Sequence, residues 1–105
     1  MEELKTLADV KGVTAAPDRK FYSANHDEIK AGLTTDIYFI KTLEILKHMG
    51  LSKTPVVAEV FPRGSGVFCG IDEVMSLFED KDVEVFAIPE GEPFDAKETV
   101  LRIKG

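Results

Sequence analysis

The chain has 105 residues, 44% apolar and 30% charged, which fits a single ordinary globular domain of the soluble kind. Its 19 acidic and 13 basic residues leave a net charge of -6, and without clustered Lys and Arg this excludes a nucleic-acid scaffold and makes the chain alone a poor trap for a polyanion. One cysteine, Cys69, excludes an internal disulfide framework, and no Cys/His spacing marks a zinc site.

Residues 1–20 mix small, charged and turn-forming side chains, with Gly12 and Pro17 as breakers and a brief helical hint at Leu4, Leu7 and Ala8. They read as an arm outside the core, with order beginning near Phe21 and Tyr22. Asn25 and Glu28 have capping-box spacing, predicting a short helix over 26–31 closed by Gly32. Thr34 or Thr35 is the expected cap of a longer helix over 36–48, with Asp36 in its first turn, where a negative charge suits the helix dipole, and Gly50 as its stop. That helix carries two apolar stripes, Phe39-Leu43-Leu46 and Tyr38-Ile45-Met49, more than one core requires. The second stripe calls for a partner.

From Val56 to Phe61 a nearly continuous apolar run predicts a strand ended by Pro62. A turn at Gly64-Ser65-Gly66 leads to a short strand over 67–69, and Gly70 opens a helix with Ile71, Val74, Met75 and Phe78 at i, i+3, i+4 and i+7. Strands over 83–88 and 100–103 follow, separated by a turn around Gly91 and Pro93. Strands returning through short turns, broken by one crossover helix, predict an α+β fold with a small mixed or antiparallel, partly barrel-like sheet and two to three helices. No apolar stretch nears the roughly 20 residues of a membrane span and no signal peptide opens the chain, so a cytoplasmic location is expected. The sequence stops at Gly105 directly after a strand, as a domain cut from a longer chain would.

The run Phe21-Tyr22-Ser23-Ala24-Asn25-His26-Asp27-Glu28-Ile29, then Gly32, then Thr34-Thr35-Asp36-Ile37-Tyr38-Phe39 resembles the opening of the archaeal and bacterial nicotinate phosphoribosyltransferases. Lys41-Thr42, Val57-Ala58-Glu59-Val60, Gly70-Ile71-Asp72-Glu73-Val74, Ala87-Ile88-Pro89-Glu90-Gly91 and Val100-Leu101-Arg102-Ile103-Lys104-Gly105 continue the resemblance in order, over about residues 21–105. It implies the N-terminal domain of a type II phosphoribosyltransferase at 21–105, with the catalytic barrel beyond it. The implied reaction joins nicotinate to phosphoribosyl pyrophosphate, giving nicotinate mononucleotide and pyrophosphate in NAD biosynthesis, with Mg²⁺ on the phosphates and ATP hydrolysis coupled in many members. This domain alone would bind neither cofactor and would be inactive. The implied partners are the chain's own C-terminal barrel and a second subunit in a homodimer. Tyr38 would stack on the nicotinate ring of the neighbouring subunit and Asp36 would shape that pocket, with Thr35 beside it and Lys41 approaching phosphate.

Each assignment has a plainer competitor. Without the resemblance, Tyr38 is an amphipathic-helix tyrosine with its hydroxyl in water, and Asp36 a first-turn charge worth about 0.3–1 kcal/mol. His26 and His48 stand at helix ends and read as solvated; Cys69, in an apolar strand, reads as a buried structural thiol. Arg63-Gly64-Ser65-Gly66 forms either an anion-binding nest or a simple turn. Two other functions remain open: a non-catalytic interaction module using the second stripe of the long helix, and a carrier-like small β-rich domain suggested by the acidic Gly turn of residues 89–94.

Overall fold

The computed structural model describes residues 1–4, 9 and 24–105. The chain divides into two compact units, one of Met1–Pro17 with Val56–Gly105 and one of Asp18–Pro55. The first unit is built on a sheet of β1 (Glu2–Leu4), β4 (Glu84–Ala87), β6 (Leu101–Lys104) and β2 (Val57–Val60), in that spatial order and antiparallel throughout. A second ribbon pairs β3 (Gly66–Val67) with β5 (Pro93–Phe94). Helix α3 (Ile71–Phe78) lies between β3 and β4 in the chain.

Strand alternation decides what the sheet buries. Val85 and Ala87 of β4 oppose Ile103 and Leu101 of β6, and Leu4 opposes Val85 from the other side. Val85, Ala87, Leu101 and Leu4 form the core with Ile71 and Met75 of α3 and with Val100; Ile103, Val74, Phe78, Phe68 and Phe94 pack against it. The intervening residues make the opposite face. There Glu59 opposes Arg102 and accepts from its Nε at 2.8 Å and Nη2 at 2.7 Å, while the Lys104 ammonium sits 4.7 Å from the Phe86 ring centroid.

Helix α3 opens at Gly70, which has no side chain to cap it. The carboxylate of Glu90 does so from the loop before β5, accepting from Gly70 N–H at 2.9 Å and Ile71 N–H at 3.2 Å. The loop is tied down further by Gly91 N–H donating to Phe68 C=O and Phe68 N–H to Glu92 C=O.

The second unit holds α1 (His26–Lys30) and α2 (Ile37–His48). Asn25 and Glu28 complete the expected capping box, each side chain accepting from the other residue's amide. Both helices end in the same motif. Leu33 N–H reaches Glu28 C=O while Gly32 N–H reaches Ile29 C=O, and Leu51 N–H reaches Leu46 C=O while Gly50 N–H reaches Lys47 C=O. The glycines at φ 79° and 71° supply the left-handed residue that this closure requires.

The α+β class, the antiparallel sheet and the helices over 26–30, 37–48 and 71–78 agree with the sequence expectations. Several details are corrected. Among the described residues the sheet is open, with β1 and β2 at its edges, and does not close into a barrel. Within the expected arm, Glu2–Leu4 is a strand and Leu4 belongs to the core; the rest of that arm, and Phe21 and Tyr22, lie outside the described residues apart from Met1 and Asp9. Pro93, read as part of a turn, begins β5; a two-stranded ribbon leaves a free side where a missing N–H does no harm. Cys69 is exposed, because β3 ends at Val67 and it is Phe68 that packs against the core. No described helix is long and apolar enough to cross a membrane.

Candidate functional site

The residues singled out on the sequence gather at the start of α2. Asp36, not Thr34 or Thr35, is the cap: its backbone is extended (φ -71°, ψ 142°) and its carboxylate accepts from Tyr38 N–H at 3.4 Å, a long contact. Thr35 lies one residue before that cap, its N–H donating to Gly32 C=O. Tyr38 is 60% exposed. Its ring stacks on that of Phe39, with centroids 4.7 Å apart and planes 21° from parallel. The Thr42 hydroxyl donates to Tyr38 C=O at 2.7 Å. The Lys41 ammonium lies 3.4 Å from a Glu44 carboxylate oxygen, both side chains well exposed, so this pairing is weak.

An exposed aromatic face held at a helix start is a stacking surface for a flat ring, by offset contact and buried area. The arrangement joins Asp36 and Tyr38 through the backbone, whereas Lys41 meets neither and pairs forward along the helix. Helical spacing puts Tyr38 with Ile45 and Met49, the stripe read on the sequence; Ile45 and Met49 are exposed as well. Phe39 and Thr42 were not singled out as site residues. The adjacent Tyr-Phe pair was visible, but neighbours on a helix ordinarily point about 100° apart, so sequence gave no reason to stack them.

The other candidates settle into the fold. His26 is half-buried at the start of α1 and His48 exposed in the last turn of α2. Arg63 is exposed, and residues 63–64 form the bend between β2 and β3. Among the described residues no group of three or more His, Cys, Asp or Glu is placed to hold a metal ion.

Comparison with known proteins places this geometry in context. The family described as quinolinate phosphoribosyl transferase, N-terminal domain, matches residues 36–105, beginning at the cap of α2. Among solved structures, the chain is similar to the crystal structure of nicotinate-nucleotide pyrophosphorylase from Pyrococcus furiosus, with 43% sequence identity and a TM-score of 0.70. The match covers 83% of this chain and 24% of that one, so the chain spans about a quarter of that protein's length. The sequence expectation of a nicotinate-specific family is thereby widened to the quinolinate and nicotinate enzymes together.

Proposed function

Because the chain belongs to the quinolinate phosphoribosyl transferase N-terminal domain family, we propose that it is the N-terminal domain of a phosphoribosyltransferase of pyridine nucleotide biosynthesis, with nicotinate as acceptor. The pyridine nitrogen attacks C1 of phosphoribosyl pyrophosphate, the C1–O bond breaks, and pyrophosphate leaves with that bond's electron pair. Such a site must stack a flat anionic ring, stabilise positive charge developing on the ribose and neutralise pyrophosphate. This chain offers the first of these. The observation that carries the reading is the Tyr38 ring, exposed at the start of α2 inside the matched segment. In the proposed cytoplasmic homodimer it supplies that face to the neighbouring subunit's base site, with Asp36 and Thr35 at the pocket's edge and Lys41 toward phosphate. The barrel domain supplies the phosphate clamp, and Mg²⁺ and ATP belong to the whole enzyme.

The test is steady-state product formation by the natural gene product with nicotinate or quinolinate as acceptor, alongside the 105-residue chain alone. Quinolinate must lose its 2-carboxylate as CO₂ to reach the same nucleotide, so CO₂ release separates the two. Turnover of nicotinate without CO₂ supports the proposal; turnover of quinolinate alone changes the acceptor. Enzyme-like turnover by the isolated chain refutes the assignment of the chemistry to another domain.

A further inference from the structure

The geometry points to Phe39 as a positioning residue that fixes the plane of the Tyr38 ring, an inference that rests on the base-site reading above. Adjacent helical side chains do not normally face one another. Here both rings lean together to 4.7 Å and 21°, although each is more than half exposed and no buried core forces the contact. The backbone of Tyr38 is held independently on both sides: its N–H meets the Asp36 carboxylate and its C=O accepts from the Thr42 hydroxyl. Cap and hydroxyl set where the Cα–Cβ bond of Tyr38 points; the Phe39 ring selects one orientation about the remaining torsions and covers one face. The other face is then presented to a flat ligand ring with less side-chain freedom to lose on binding. Asp36 in this arrangement acts through Tyr38, its carboxylate directed at that residue's amide.

Phe39→Leu removes the ring and keeps an apolar side chain at an exposed position, and Phe39→Trp restores an aromatic face. In the 105-residue chain, NMR of Tyr38, one of only two tyrosines, reads the stack directly: Phe39→Leu is expected to abolish the ring-current displacement of its ring protons, and Phe39→Trp to retain one. In the natural gene product Phe39→Leu is expected to raise KM for the pyridine base roughly two- to tenfold, the range of an aromatic pair, with kcat and KM for phosphoribosyl pyrophosphate held. Phe39→Trp should recover most of that loss. Unchanged Tyr38 ring shifts, or an unchanged base KM in Phe39→Leu while Tyr38→Ala raises it, would overturn the inference. If Tyr38→Ala itself leaves the base KM unaltered, the base-site reading fails first and takes this one with it.

Discussion

Helices α2 and α3 are both rich in apolar residues, yet they meet opposite fates. In α3, Ile71 is 2% exposed and Met75 is buried beside it, against Val85, Ala87 and Leu101 of the sheet. In α2, no residue is fully buried: Ile37, Tyr38, Phe39, Ile40, Leu43 and Ile45 are all exposed, and only Leu46 is partly covered. Apolar periodicity therefore identifies a face that has a use, without saying whether the use is stability. The α3 face holds the first unit together. The α2 face belongs to the second unit and has no buried residue, and an exposed apolar face of this kind is the sort of surface that recognition uses.

The strongest way to break that contrast is to truncate one residue from each helix and follow urea unfolding of the chain. Ile71→Ala removes a buried side chain and is expected to cost about 2–5 kcal/mol. Ile45→Ala, at 59% exposure, is expected to stay within about 0.5 kcal/mol. Equal losses would show that α2 is part of the folding core and would remove its availability for recognition.

A smaller effect sharpens the account of α3. Glu90→Ala takes away the acceptor of two amides, Gly70 and Ile71, and is expected to destabilise by about 0.5–2 kcal/mol, as loss of a helix cap does. Amide hydrogen exchange should accelerate at those two positions and in the loop carrying Glu90, with the strands β4 and β6 less affected. On the sheet's other face, Glu59→Ala breaks the half-exposed pair with Arg102, for an expected loss of about 0.2–1 kcal/mol that shrinks as salt is added. A change whose two contributions oppose one another is Lys97→Gly. Lys97 has φ 65°, a conformation glycine adopts without strain, and its N–H to Pro62 C=O bond is retained, so the balance of strain relief and unfolded-state entropy should leave stability within about 1 kcal/mol of the parent.

What the sequence disclosed follows the range of the interactions involved. The capping box of α1, the Gly50 stop of α2 and the apolar face of α3 are encoded within a few residues and were legible. The cap of α2 was misplaced by one or two residues because Thr34, Thr35 and Asp36 are all competent cap types, and it is Asp36 whose carboxylate accepts from the Tyr38 amide. Strand β1 was missed because three residues carry too little alternation and its partner β4 lies some eighty positions away in the chain. Glu90 had no local signature at all, since its carboxylate caps a helix that begins nearly twenty residues earlier. The candidate site divides the same way: Asp36 and Tyr38 were proposed from a contiguous motif, whereas the Phe39 stack depends on side-chain torsions that spacing does not encode.

The central claim, that α2 presents Tyr38 to a pyridine base, is tested most directly by comparing Tyr38→Ala with Tyr38→Phe in the natural gene product. Tyr38→Phe keeps the aromatic face and should leave KM for the base nearly unchanged, while Tyr38→Ala should raise it by about tenfold or more with KM for phosphoribosyl pyrophosphate held. An unchanged base KM in Tyr38→Ala would contradict the claim and leave the exposed face of α2 as an interaction surface without a role in the base site.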